Sequence, residues 1–277
     1  MPEGNTIHRL ALVHTRDLAG RAVRASSPQG RFSREAARLD GRRFLEAEAY
    51  GKHLFHRWHG GLVVHVHLGM AGSFSQFAGA PPAPRVSVRM RLSVPRVTFD
   101  LIGPPTCELI DEEARRAVVA RLGPDPLRSD GDPEVAWENL RRRPKRTIGD
   151  ALIDQRVVSG VGNIYRNEAL FLLGIHPLRP AGRLSHADWI ALWSTIRRLM
   201  RRGVRAGTRT VDRLETPHPL AASRRDPGDD DFYVYQQTVC RRCGGALREL
   251  SVSDRRMFVC PVCQPRSPRR PSETAAS

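Results

Sequence analysis

The chain is predicted to be an α+β protein of two domains, a β-sandwich behind an amino-terminal helix and then a helical domain closed by a cysteine-bearing β-hairpin. Three observations predict this. Short segments between residues 44 and 101 alternate apolar and polar side chains, segments beyond residue 135 carry apolar side chains at the helical period, and four cysteines cluster near the end. A length of 277 residues is enough for two cores of ordinary size.

Residues 3–18 place Ile7, Leu10, Ala11, Val13 and Leu18 on a helical stripe that would pin the amino terminus to the core. From Phe44 the pattern becomes strands, with Gly60 and Gly61 as the turn between HLFHRW and LVVHVHL. Val86, Val88, Met90, Leu92 and Val94 alternate with polar residues, and Arg96–Leu101 reads as the returning strand. Proline, glycine and aspartate concentrate in RLGPDPLRSDGDP, which closes the first domain (2–122) and sets a linker at 123–134. Trp137–Arg141, Ile148–Arg156, Gly162–Leu173 and His186–Arg202 read as helices of a domain over 135–231, the last part irregular. The cysteine hairpin occupies 232–264, and the polar, proline-containing tail 265–277 is expected to be disordered.

A net charge of +16 and a pI near 11.1 point to a strongly negative partner, nucleic acid first of all. No stretch reaches 18 apolar residues and the start MPEGNTIHRL lacks the apolar run of a signal peptide, so a cytoplasmic protein without a membrane partner is expected. The basic residues comprise 43 arginines and two lysines, Lys52 and Lys145. In that background a lysine can do what guanidinium cannot, because it can give up its proton.

Cys240, Cys243, Cys260 and Cys263 form two CxxC pairs separated by 16 residues, while Cys107 stands alone in the first half. This spacing closes a tetrahedral thiolate site for one zinc ion, structural because four thiolates leave no open position. At the other end, removal of Met1 would leave Pro2 as a secondary amine. Its α-amino group has a reference pKa near 8 against about 10.4 for lysine, so far more of it is neutral and nucleophilic at neutral pH. Glu3 beside it is placed to protonate or polarise an opened sugar oxygen.

MPEG, GKHLF, the run ALIDQRVVSGVGNIYRNEALFLLGIHP and the terminal four cysteines occur in the order shown by the formamidopyrimidine-DNA glycosylase/endonuclease VIII family, which the chain resembles from residue 2 to about 264. The resemblance implies Pro2 as Schiff-base nucleophile, Glu3 as its acid/base partner and Lys52 as the hairpin lysine that approaches the DNA phosphate and lesion sugar. It identifies residues 151–177 as the helix-two-turn-helix motif, with Asn163 opening a helix whose N–H groups favour phosphate. Arg255 in SDRRMFVC matches the phosphate-gripping arginine of the zinc hairpin, with Arg256 adjacent. Met70 in HLGMAG matches the residue that fills the space left by a flipped nucleotide, against the simpler reading of a buried core methionine.

Two departures are visible. DLIGPPTCE lacks the arginine and phenylalanine that the formamidopyrimidine branch carries there, which draws the chain towards endonuclease VIII and oxidised pyrimidines. Thr6 stands where both branches tend to place a glutamate. The resemblance therefore implies a monomeric repair enzyme of damaged duplex DNA that removes an oxidised base and cuts the strand by β,δ-elimination. An 8-oxoguanine glycosylase and a non-catalytic zinc-ribbon DNA-binding protein are the alternatives. His53, His65 and His67 sit at strand spacing and read as core or surface groups.

Overall fold

The computed structural model describes residues 2–206 and 232–266; the irregular stretch and most of the tail expected from the sequence lie outside the described residues. The first domain opens with α1 (Gly4–Leu18), β1 (Ala22–Ser26) and α2 (Ser33–Leu39). The strands β2 (Arg42–Tyr50), β3 (His53–Trp58), β4 (Leu62–His67), β5 (Ser73–Ala78), β6 (Val88–Val94), β7 (Val97–Ile102) and β8 (Thr106–Ile110) follow. They hydrogen-bond in the order β5-β7-β6-β1-β2-β3-β4-β8. β1 passes from β2, at Ala22 and Val23, to β6, at Arg24–Ser26, so the ladder folds into two four-stranded leaves. Their inner faces enclose Phe44, Leu54, Trp58, Met90, Leu92 and Phe99, and α1 covers one side with Ile7, Ala11 and Leu18. Gly60 and Gly61 both take positive φ, 87° and 75°, as the expected two-residue hairpin turn requires.

Five elements of this domain escaped the sequence pattern, namely β1, α2, β5, β8 and the helix Glu112–Val119 that follows them. β5 lies at the edge of the ladder with no buried residue, and β8 at the other edge has none either, so neither carries strict alternation. The strand expected from Val86 begins at Val88; Val86 is 87 % exposed in the preceding turn.

His14 of α1 and His56 of β3 meet inside the sandwich, Nδ1 to Nε2 at 2.9 Å, among Phe44, Phe74 and Phe99. Burial holds both imidazoles neutral, with His56 pushed down to about 3.

After α3 (Glu112–Val119), the second domain contains α4 (Pro133–Arg141), α5 (Ile148–Ala151), α6 (Asn163–Leu172) and α7 (His186–Ala206), then the hairpin β9 (Arg248–Val252) and β10 (Arg255–Val259). α4 starts earlier than the period indicates because Pro133 occupies its first turn and the Asp132 carboxylate caps the Glu134 N–H at 2.8 Å. The helix expected over 148–156 is instead the short α5 followed by turns. Side chains compete for the backbone there: the Gln155 amide donates to the Ile153 and Val161 carbonyls and accepts from Gly160, and Asp154 accepts the Arg156 N–H. α6 is buried from Asn163 to Phe171 and forms the centre of the domain, packed on α7 and β10.

The linker is fastened to the first domain rather than slack. Asp125 is fully buried; its carboxylate takes the Gly51 N–H at 2.7 Å and the Leu127 N–H at 2.8 Å and meets His8 Nε2 at 2.7 Å. One side chain thus ties α1, the β2–β3 turn and the linker together. Asp125→Ala strands these buried donors and should lower stability by about 3 kcal/mol; an unchanged urea midpoint would show that the latch carries no load.

Candidate active site

The amino terminus inserts between the two domains. Glu3 precedes α1 with extended backbone, φ −118°, and leaves its own helix uncapped. Its buried carboxylate instead caps α6, accepting N–H groups from Gly162 at 2.9 Å and Ile164 at 2.8 Å, with Tyr165 N at 3.5 Å. A carboxylate at a helix amino terminus meets both the orphan donors and the positive end of the dipole. Burial raises the Glu3 pKa above the usual carboxylate range, opposed by the positive charge of Lys52 and by the three N–H groups.

Close backbone approach makes this insertion possible. A Cβ on Gly162 would lie 2.3 Å from the Glu3 carboxyl carbon. Gly4, Gly51 and Gly160 meet at one point: the Gly4 N–H donates to the Gly160 carbonyl at 2.9 Å, and Gly160, at φ +85°, would have a Cβ 3.4 Å from the Gly51 Cα and 3.5 Å from the Gly4 Cα. The helix, the hairpin turn and the turn before α6 can therefore share one small volume.

Lys52 follows Gly51 in the β2–β3 turn and is half-buried. Burial lowers its pKa, the Glu3 charge opposes this, and the guanidinium charges of Arg255 and Arg166 add to the lowering. Arg255 opens β10 opposite Val252, after a tight turn in which Ser253 and Asp254 both take positive φ. The Ser253 hydroxyl donates to the Asp150 carboxylate of α5, which holds the hairpin tip. Arg256 instead lies 3.7 Å from Glu249 on the neighbouring strand.

Asn163 opens α6, as its place in the sequence indicates, and its amide is engaged within the protein. Only 7 % exposed, it donates from Nδ2 to the Arg256 carbonyl at 3.0 Å and accepts from Arg166 Nε at 2.9 Å. Asn167 accepts the Phe258 N–H at 2.7 Å, and Glu168 accepts N–H groups from Tyr233, Val234 and Tyr235. One face of α6 therefore carries the hairpin while its amino-terminal end holds Glu3. Arg166, fully buried, spans Asn163 and the Gly149 carbonyl, and burial lowers it to about 10.

Met70 lies in the loop between β4 and β5 and is 76 % exposed, which excludes the reading as a core methionine. The structure brings Glu3, Lys52, Asn163 and the Arg255 hairpin together behind the half-buried Pro2; Met70 stands on a separate loop. The sequence reading missed Asp125, Asn167 and Glu168. No local pattern marks an acidic or amide side chain as a buried anchor.

The four cysteine Sγ atoms lie within 4.8 Å of one another, with Cys240 to Cys263 at 3.8 Å and Cys243 to Cys260 at 3.4 Å. A tetrahedron with metal–sulfur bonds of about 2.3 Å has edges of about 3.8 Å, so this cluster fits a single metal ion. The Cys263 N–H donates to Cys260 Sγ at 3.3 Å, as expected of a thiolate knuckle.

Comparison with known proteins places this architecture. Residues 1–104 match the formamidopyrimidine-DNA glycosylase N-terminal domain and residues 122–214 match the formamidopyrimidine-DNA glycosylase H2TH domain. The chain belongs to the formamidopyrimidine-DNA glycosylase family. It is thereby an enzyme of the DNA glycosylase class.

Within the family, the chain is 47 % identical over 270 residues to endonuclease 8 1 of Mycobacterium tuberculosis (strain ATCC 25618 / H37Rv), covering 95 % of this chain and 100 % of that protein. It is 36 % identical to a probable endonuclease 8 2 of Streptomyces coelicolor, covering 98 % and 96 %. A formamidopyrimidine-DNA glycosylase of Stutzerimonas stutzeri is 32 % identical over 240 residues, covering 82 % and 84 %. The solved complex of Lactococcus lactis Fpg with abasic-site DNA superposes with a TM-score of 0.76 at 22 % identity, covering 95 % of this chain and 99 % of that one. That likeness establishes the fold. No helix among the described residues is long and apolar enough to cross a membrane.

Proposed function

We propose that the chain, processed to begin at Pro2, is a bifunctional DNA glycosylase/AP lyase acting as a monomer on damaged duplex DNA in the bacterial cytoplasm. The Pro2 amine attacks C1′ of a flipped nucleotide, the damaged base leaves, and the iminium so formed undergoes β- and δ-elimination. Glu3 supplies a proton to the sugar oxygen, Lys52 and Arg255 hold phosphate, and Met70 fills the vacated stack. Asn163 aligns the zinc hairpin against the start of α6, where the DNA backbone is held. One structural zinc on the four thiolates stiffens the hairpin that carries Arg255.

The observation carrying this reading is the Glu3 carboxylate, buried on the α6 amino terminus directly behind Pro2 with Lys52 within electrostatic reach. A non-catalytic DNA binder has no use for a buried acid of raised pKa beside a chain terminus. The preference for oxidised pyrimidines is supported by the Gly103–Pro105 connection, which offers no arginine or phenylalanine, and by the 47 % identity to endonuclease 8 1 against 32 % and 36 % to two formamidopyrimidine-DNA glycosylases.

Borohydride trapping on an abasic duplex is the decisive test. Processed protein should form a covalent adduct, Pro2→Gly should retain part of it through its primary amine, and a protein with an amino-terminal tag should form none. An active tagged protein overturns the mechanism. On a lesion panel, thymine glycol or dihydrouracil should be excised faster than 8-oxoguanine; the reverse order refutes the branch assignment.

A further inference from the structure

His14 of α1 and His56 of β3 are fully buried inside the sandwich, with His14 about three helical turns beyond Glu3. One hydrogen bond joins the rings, His14 Nδ1 to His56 Nε2 at 2.9 Å. The side chains that close on the pair from β2, β5 and β7 are Phe44, Phe74 and Phe99, none of them ionisable; the Phe74 and Phe99 centroids lie 4.7 Å and 4.3 Å from that of His14. The two remaining nitrogens, His14 Nε2 and His56 Nδ1, have no hydrogen-bond partner among the described residues. The carboxylates carried by these elements are engaged elsewhere. Asp17 of α1 is held by Arg16 at 2.6 Å and by Gln76 of β5 at 3.2 Å. On β2, Glu46 pairs with Arg57 at 2.8 Å and Glu48 with Arg115 and Arg128; on β7, Asp100 pairs with Arg91 at 2.7 Å.

A neutral imidazole carries one N–H and one lone pair, so a single proton bridges the two rings. Whichever ring donates it, one N–H and one lone pair are left facing apolar surroundings. A proton added to that lone pair makes one ring a cation with no counter-charge beside it, which is costly inside a core. A second proton sets N–H against N–H and breaks the bridge. Burial holds both rings below the ordinary histidine range, with the charge of His56 adding to the effect at His14, and His56 is pushed down to about 3. The pair therefore fits the sandwich in its neutral form alone.

We propose that His14 and His56 form an acid-sensitive clasp that seats α1 on the sandwich at neutral pH and releases it as the solution turns acid. The clasp is independent of Pro2 acting as a nucleophile. Its importance lies in what α1 carries, since Glu3 immediately precedes this helix and caps α6 through the Gly162 and Ile164 N–H groups. Releasing α1 withdraws that carboxylate from the cleft. Once α1 lifts away, both rings reach water and titrate near the ordinary histidine value of about 6.5. The released form then takes up two protons that the seated form refuses. Seating is thus complete above this value and is lost progressively as pH falls below it, the opening constant rising by up to about a hundredfold per pH unit.

The test is hydrogen exchange of the full chain between pH 7 and pH 5, read by mass spectrometry on peptides from α1 and β3 and corrected for the intrinsic exchange rate. Wild type is compared with His14→Leu/His56→Leu, which keeps side chains of similar size and removes both titrating rings. Carboxylates and cysteine thiolates titrate in both proteins, so the difference between them reads the pair. Over this range the opening constant of α1 should rise about 10²–10³-fold more in wild type than in the variant. Parallel pH dependence in the two proteins overturns the clasp. A second measurement needs no variant of altered core: ring resonances of isotope-labelled histidine in the folded wild-type protein should show His14 and His56 neutral down to pH 5. Either ring gaining its proton near pH 6.5 while α1 remains seated overturns the clasp as well.

Discussion

Glu3→Gln should lower the single-turnover rate of base excision by about 10²–10⁴-fold, the range for loss of a general acid. The substitution removes the ionisable proton and disturbs the cap at once. Glu3 presents one oxygen to Gly162 and the other to Ile164, so an amide nitrogen in either place faces a backbone donor. As a proton donor Glu3 must be protonated, and its pKa is raised by burial. The wild-type excision rate should therefore fall as pH rises through a value above the ordinary carboxylate range, and the Gln variant should lack that limb. Rapid-quench excision from a lesion duplex between pH 4 and pH 9 reads both effects. A variant with the wild-type rate and profile would remove Glu3 from the chemistry.

Cys260→Ser should release the metal and weaken binding to an abasic duplex tenfold or more. Cys260 is fully buried, and the hairpin it anchors carries Arg255 and supplies the Arg256 carbonyl and Phe258 N–H that Asn163 and Asn167 bind. In small metal-knuckle domains the binding energy of the ion is folding energy, so loss of one thiolate loosens the whole element. Native mass spectrometry should show one zinc per wild-type chain and none in the variant, and fluorescence anisotropy should show the weaker binding. A metal-free variant with full affinity would show that the hairpin holds its shape through α6 alone.

These two sites were legible in the sequence to different degrees. The cysteine spacing and the MPEG terminus point directly to the proposed chemistry because the residues concerned are local in the chain. The environment that tunes Glu3 was not legible, since its hydrogen-bond donors lie 159 to 162 residues away. Sequence spacing placed Asn163 at the start of a helix but could not say that its amide is occupied by the hairpin backbone. His53, His65 and His67 looked like ordinary strand residues; only cross-strand register sets His53 against His65 and His65 against Glu108.

By itself the sequence determined the α+β division, the hairpin at Gly60–Gly61, the thiolate cluster and the exposed basic character, because periodicity, turn chemistry and ligand spacing act over a few residues. Tertiary structure alone decided that the linker is latched by Asp125, that Gly4, Gly51 and Gly160 meet at one point, and that α6 serves both the acid and the hairpin. Those features depend on backbones approaching from distant parts of the chain, where a missing side chain or one buried carboxylate settles the geometry, and no local pattern encodes which partner will arrive.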